Sequence, residues 1–261
     1  MKKGYVIVTG ASSGIGYEMA DILAAKGYPL VIVARRKQRL EELKSQLVAK
    51  YNAVVEVVEL DLSEKNAAIA LHDYTQNANL DIEILINNAG FGMQNAFLTQ
   101  SMERMAEMVQ LNVITLTHLT QLYAQDFVKR GNGKIMQVAS SAAFVPMAFL
   151  SSYSATKAYV HHFGEALRFE LRGTNISYTT LYPGFTATEF ADVAEAKVIG
   201  PIEATQTTAR QVAEAGIKGM LKGEKSVIPG FFNVITAFLA RVLPTSMKSF
   251  IMGKLMVAIL R

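Results

Sequence analysis

Cysteine and tryptophan are both absent from the 261 residues. Without cysteine there is no disulfide, no thiolate zinc site and no thiol nucleophile. Nothing then asks for an oxidising compartment, and a cytoplasmic location is expected. Proline is scarce, with six residues, and no Pro/Ser-rich or low-complexity stretch marks a linker. Residues 1–261 are therefore expected to form a single domain, with 231–261 as a helical extension. No uninterrupted apolar run approaches the roughly 18 residues of a membrane-spanning helix, and the run Tyr5 to Val8 is too short for the core of an export signal. Charge is thin as well. The formal net charge is +4, too mild for nucleic acid and compatible with a small anionic ligand. What remains is a chain with 51% hydrophobic and 18% charged residues, a balance that suits a buried sheet layered between helices.

The order of segments agrees with that balance. Tyr5 to Val8, Leu30 to Val33, Val54 to Leu60, Ile82 to Ile86, Lys134 to Val138 and Ile176 to Leu181 are short runs rich in β-branched residues and read as strands. Between and after them, Ile15 to Lys26, Lys37 to Lys50, Glu64 to Asn77, Met102 to Lys129, Ser154 to Arg172 and Ala204 to Leu221 carry apolar residues three or four apart and read as helices. Strict β-α alternation implies parallel pairing through right-handed crossovers, and strands with few polar positions imply cover on both faces. The expected fold class is α/β, a doubly wound parallel sheet of the Rossmann type.

Between the first strand and the first helix lies Thr9-Gly10-Ala11-Ser12-Ser13-Gly14-Ile15-Gly16. A helix start offers unpaired backbone N–H groups and the positive end of a dipole, both suited to phosphate. Small residues let the backbone turn sharply there, and Gly16 lets the helix approach the strand. Three residues separate Gly10 from Gly14, so this is not the common G-x-G-x-x-G spacing. The second strand ends in Arg35-Arg36, where an NAD-binding fold usually carries an acid for the ribose 2′-hydroxyl. An arginine pair can instead fork onto a 2′-phosphate and stack on adenine, so NADP(H) is the expected cofactor.

Tyr153 and Lys157 sit four residues apart at the start of the sixth helical segment, a step that puts them on one face. A phenol titrates near about 10, so acid-base work near neutrality needs a positive neighbour. Lys157 can be that neighbour.

With these features in place, the chain resembles the short-chain dehydrogenase/reductase family from about Lys3 to Phe190. The resemblance rests on the Thr-Gly-x-x-x-Gly-x-Gly turn, Asp61-Leu62, Asn87-Asn88-Ala89-Gly90, Asn112, Ser140, Tyr153 with Lys157, and Pro183-Gly184 in that order. It implies that Gly10, Ser12, Ser13, Gly14, Ile15 and Gly16 cradle the dinucleotide and that Asp61 and Leu62 border its adenine. Asn88, Ala89, Gly90, Pro183 and Gly184 would line the rest of the cleft, with Tyr153 and Lys157 touching cofactor as well. It also implies a catalytic tetrad of Asn112, Ser140, Tyr153 and Lys157; the family's serine lies thirteen residues before its tyrosine, which selects Ser140 over Ser141. Where the family usually has Asn and Gly, this chain has Gln137 and Ala143.

The implied activity is hydride transfer between nicotinamide and a carbonyl or alcohol, without a metal, and an NADP(H)-binding regulatory protein without turnover is the alternative. Tyr153 would donate the proton and Ser140 orient the oxygen. Lys157 would lower the phenol pKa and hold the nicotinamide ribose, while Asn112 would position a water. Phe91, Met93, Phe144, Pro146, Phe149, Phe185 and Phe190 are expected to border the nicotinamide end, favouring an apolar ketone, aldehyde or acyl compound. His161, one further helical step on, is expected to serve packing or subunit contact, and a homo-oligomer, dimer or tetramer, is expected. From Lys225 to Arg261 there is no acidic residue, while large apolar residues recur at helical spacing. This tail is expected to form two helices that cap the cleft or bury a subunit interface, with a peripheral contact on anionic lipid as the other reading.

Overall fold

The computed structural model describes residues 3–194 and 206–260. Its elements run β1 (Tyr5–Thr9), α1 (Gly14–Ala25), β2 (Leu30–Ala34), α2 (Lys37–Tyr51), β3 (Val55–Glu59), α3 (Ala67–Asn77) and β4 (Ile82–Asn87). They continue with α4 (Met102–Val109), α5 (Leu116–Arg130), β5 (Gly133–Val138), α6 (Ser151–Glu170), β6 (Ile176–Leu181), β7 (Thr186–Ala187) and α7 (Phe190–Val193). After these come β8 (Thr207–Thr208), α8 (Ala209–Lys222), β9 (Ser226–Val227), α9 (Phe231–Val242) and α10 (Thr245–Leu260).

One sheet takes the order β3-β2-β1-β4-β5-β6-β9, and every neighbouring pair is parallel. Alternate side chains of each strand point to opposite faces, and the core divides accordingly. Val6, Val8, Leu30 and Ile32 pack with Met19 and Leu23 of α1, Leu40 and Leu43 of α2, and Val212 and Ile217 of α8. On the other face, Ile7, Val31, Val33 and Leu85 pack with Leu71 of α3 and Leu119, Tyr123 and Phe127 of α5. Chain direction across the sheet reverses its order between β1 and β4, so a crevice opens beyond their C-terminal ends.

Several boundaries differ from the sequence reading for local reasons. The third helix begins at Ala67 rather than Glu64, because the Asp61 carboxylate accepts the Ser63 backbone N–H at 2.9 Å and folds residues 61–64 into a turn. The long helical segment Met102 to Lys129 contains a π turn over Gln110–Thr115. β9, two residues that pair with Thr180 and Leu181 of β6, was not legible as a strand because so short a run carries no period. Ala204 and Thr205, read as a helix start, lie outside the described residues; α8 starts at Ala209, behind a capping box of Thr208 and Gln211.

The end of β1 is tied to the end of β4. Thr9 Oγ1 accepts the backbone N–H groups of Asn88 at 2.9 Å and Ala89 at 3.0 Å, and the Asn88 side chain donates back to the Thr9 carbonyl at 2.8 Å. Gly16 passes directly under this knot: a Cβ there would stand 2.5 Å from both the Gly10 carbonyl oxygen and Asn88 Nδ2. Gly27 has a positive φ of 73° but open space around it. Gly16→Ala is therefore expected to destabilise by about 2 kcal/mol or more through overpacking, against about 1 kcal/mol for Gly27→Ala from backbone strain alone. Urea unfolding of the two variants measures the difference, and equal losses would contradict the close approach.

Candidate active site

Beyond the sheet's C-terminal edge lies a cavity of about 630 Å3, running from the glycine turn to Tyr153. Of the residues singled out from the sequence, Gly10, Ser12, Ser13, Gly14, Ile15, Arg35, Arg36, Asp61, Leu62, Asn88, Ala89, Gly90, Ser140, Tyr153, Lys157, Pro183 and Gly184 all line it. Gly16 does not, being under the Thr9–Asn88 knot, and neither does Asn112, which is fully buried.

At one end, α1 starts with no acidic residue in its first turn and no side chain capping its N-terminus. Its first N–H groups are thus left for a ligand. Arg36 arches over this turn: Nη2 donates to Ser13 Oγ at 2.9 Å and to Ser12 Oγ at 3.1 Å, and Nη1 donates to Glu189 at 2.8 Å. Arg39 also hydrogen-bonds Glu189. These hydrogen bonds from Arg39 and Arg36 pull the Glu189 carboxyl down to about 2. Arg35 is more exposed and stands 3.4 Å from Asp61. Burial acts to raise the Asp61 carboxyl, but the Ser63 hydrogen bonds and the Arg35 charge outweigh it and the net shift is downward. Glu189 and Arg39 were missed from the sequence. Glu189 follows β7 on a stretch with no motif, and Arg39 reads as one more charge on an exposed helix.

The first helix entrance also spells Gly10-Ala11-Ser12-Ser13-Gly14, the G-x-S-x-G of hydrolase nucleophiles. Ser12 Oγ accepts from Arg36, and no histidine is among the described residues that line the cavity, so the serine–histidine pairing of those hydrolases is not found there.

At the other end, Tyr153 and Lys157 lie on α6 and Ser140 follows β5, where its hydroxyl accepts the Ala142 N–H at 3.1 Å. Lys157 Nζ donates to the Val138 carbonyl at 2.9 Å and lies 5.8 Å from the centre of the Tyr153 ring. Burial pushes the Tyr153 phenol up to about 12, with the neighbouring Ser140 hydroxyl acting in the opposite direction. Burial also brings the Lys157 ammonium down to about 8. The sequence reading has Lys157 lowering the phenol; in the protein by itself, desolvation governs both groups and moves each toward its neutral form.

Asn112 sits in the π turn, which aims its amide at the cleft wall. Nδ2 donates to the Phe91 carbonyl at 3.0 Å and to Thr156 Oγ1 at 3.1 Å, while Oδ1 accepts the Phe91 N–H at 3.3 Å. The amide thus braces Phe91 against α6, and the expected hold on a water is left to one lone pair of Oδ1.

Phe91, Phe185 and Phe190 border this end as expected, joined by Leu111, Met147 and Leu150. Met93, Pro146 and Phe149 do not line the cavity, and Phe144 is buried against Tyr182 and His161 instead. His161 Nδ1 pairs with the Tyr182 hydroxyl at 2.8 Å, a packing role. The tail closes this end. Met256 of α10 joins Phe91, Met147, Leu150 and Tyr153 in one buried cluster, and Asn233 of α9 fills the space where Gly184 has no side chain.

Residues 4–198 match the short chain dehydrogenase family. The chain belongs to this family of oxidoreductases. Among curated relatives, the very-long-chain 3-oxoacyl-CoA reductase of Pyricularia oryzae is 34% identical over 183 residues, which is 67% of this chain and 54% of the relative. The human protein of the same name is 28% identical over 193 residues, 72% of this chain and 61% of the relative. The chain thus spans little more than half the length of these two. A short-chain dehydrogenase from Sphingobium yanoikuyae, solved in complex with NADPH, superposes with a TM-score of 0.82 at 30% identity, covering 93% of this chain and 97% of that one.

The depressed Lys157 pKa sets a pH dependence. Its folded value of about 8 lies below the ordinary 10.5, so between these values the unfolded chain holds more protons and stability rises with pH. The burial penalty is carried in full below pH 8 and relieved above it. Lys157→Met lacks the group, so ligand-free wild type is expected to gain stability relative to this variant as pH rises from 8 to 10. Urea unfolding at several pH values checks this, and a pH-independent difference would contradict it.

Proposed function

We propose that the protein is an NADP(H)-dependent reductase of apolar carbonyl compounds, or the matching alcohol dehydrogenase, and that a 3-oxoacyl chain is the substrate class that fits best. One observation carries this reading: Tyr153, Ser140 and Lys157 meet at an apolar end of a cleft whose other end presents an uncapped helix start beside Arg36 and Arg39. Bound NADP(H) would supply or accept the hydride at the substrate carbon.

The residues divide the remaining work. Tyr153, kept protonated at neutral pH by burial, gives its proton to the carbonyl oxygen as negative charge develops there. The Ser140 hydroxyl donates to the same oxygen. Lys157 supplies the nearby positive charge that favours the phenolate left behind, and Phe91, Phe185 and Phe190 exclude water from the reacting end. At the far end, Arg36 and Arg39 are the cations best placed for a 2′-phosphate, with Arg35 exposed for stacking. The names of the two curated relatives support an acyl substrate, and the NADPH of the Sphingobium structure supports the choice of cofactor. A fluorescence titration with NADPH, followed by its oxidation in the presence of ketones, aldehydes and 3-oxoacyl thioesters, tests the reading. Binding without turnover across that set would favour a regulatory protein.

Two variants separate the ends of the cleft. Tyr153→Phe is expected to keep NADPH affinity within about twofold while kcat falls by about 100-fold or more. A kcat near wild type would remove Tyr153 as the proton donor. Glu189→Gln takes away the carboxylate that competes for Arg36 and Arg39, and is expected to tighten NADPH binding several-fold, by about 1 kcal/mol, with NADH binding unchanged. An equal effect on both cofactors would place the 2′-phosphate elsewhere.

A further inference from the structure

The tail solves only half of its own burial problem. Toward the domain, α9 buries Ala237 and Ala240 beside Phe144 and Tyr182, and α10 buries Met256 with Met252 beside it over the reacting end of the cleft. The opposite face stays open. Phe231 is 75% exposed, Phe250 67% and Phe238 63%, with Phe232, Ile235 and Ile251 also exposed on the same two helices. At about 150–250 Å2 for a large side chain, these six leave roughly 500–900 Å2 uncovered, at or above the roughly 300–600 Å2 of the largest patch on a typical monomer.

Charge decides what covers it. Residues 225–261 carry Lys225, Arg241, Lys248, Lys254 and Arg261 and no Asp or Glu. Lys225 precedes β9, Lys248 turns inward to the Phe144 and Ala240 carbonyls, and the Arg241 side chain and all of Arg261 lie outside the described part, so among the described residues Lys254 is the cation on the open face. In a two-fold contact the same patch meets itself, so the Lys254 ammonium groups of two copies would enter one interface with no Asp or Glu of α9 or α10 to pair them. An anionic lipid surface meets both needs, taking the aromatic and aliphatic side chains below the headgroups and pairing Lys254 at that level. Lys254 already has the matching posture, its stem carrying Nζ over the Phe250 ring at 5.7 Å.

We infer that the outer face of α9 and α10 docks on anionic membrane lipid, seating the reacting end of the cleft at the bilayer. The helices lie on the surface rather than cross it: among the described residues no helix is long and apolar enough to span. Since Met252 and Met256 line the inner side of the same helix whose outer side would touch lipid, an acyl chain dissolved in the bilayer would reach the cleft without crossing water. That last step rests on the reductase reading; the docking surface does not.

Sedimentation of the full chain with vesicles tests the surface without any need for turnover. The wild type is expected to pellet with phosphatidylcholine vesicles containing phosphatidylglycerol, less in high salt and less with phosphatidylcholine alone. The triple variant Phe231→Gln, Phe238→Gln, Phe250→Gln is expected to weaken vesicle binding at least about tenfold with an unchanged melting temperature. If that variant fails to melt cooperatively, Lys254→Glu serves in its place, weakening binding to anionic vesicles and leaving binding to neutral ones unaltered. Failure of the intact chain to bind either vesicle, or full binding by the folded variants, would overturn the inference. So would a triple variant that turns a dimer into a monomer by light scattering, which would identify a second copy as the occupant.

Discussion

A parallel sheet that stops abruptly leaves backbone polar groups stranded at its C-terminal edge, and they must be satisfied or the crevice above them collapses or fills with water. Here one threonine and one asparagine handle that edge at the point where the strand order reverses. Thr9 takes two N–H groups from the chain leaving β4, and Asn88 returns two hydrogen-bond donors to the chain leaving β1. Everything at the cleft hangs on this exchange. It sets the height of the glycine turn, obliges residue 16 to lack a side chain, and starts Asn88-Ala89-Gly90 along the wall toward Lys157.

The two ends of the cleft then use opposite electrostatics. The glycine-turn end is wet and cationic, and its charges are kept in hand by Glu189 and Asp61. The Tyr153 end is dry, so burial holds the phenol neutral and makes the ammonium easier to discharge. The contrast follows from which elements cover each end: an exposed helix start on one side, and apolar side chains from α6, the segment after β7 and the C-terminal tail on the other.

The doubly wound sheet and about half of the residues that line the cleft were legible in the sequence, because each of these rests on a local signal. Strand runs have period two, Gly10 and Gly14 stand where φ is positive, and Tyr153 and Lys157 share a helix face. What was not legible depends on contacts far apart in the chain. Glu189 meets Arg36 and Arg39 across some 150 residues, and β9 exists only because β6 offers it an edge. Phe144 shows the limit from the other side: its place near Ser140 suggested the cleft, but its ring turns away from the cavity to Tyr182 after β6 and to His161, one helical turn beyond Lys157 on α6. The tail's apolar spacing was plain, whereas the division of its residues into a covered and an open face required the packing.

The π turn at Gln110–Thr115 has a bearing on how this site could arise or vanish. Such a turn holds one residue more than an α-helical turn spans, so the helices before and after it keep the angular positions they would have without it. Met108 and Leu119 can both stay buried whether or not the surplus residue is present. A single-codon deletion inside the segment would restore a plain helix and leave the sheet's cover intact, yet it would swing Asn112 away from Phe91 and Thr156. At this position the framework and the chemistry are therefore separable by one genetic event, and a relative lacking that residue would share the fold while losing the brace behind its cleft.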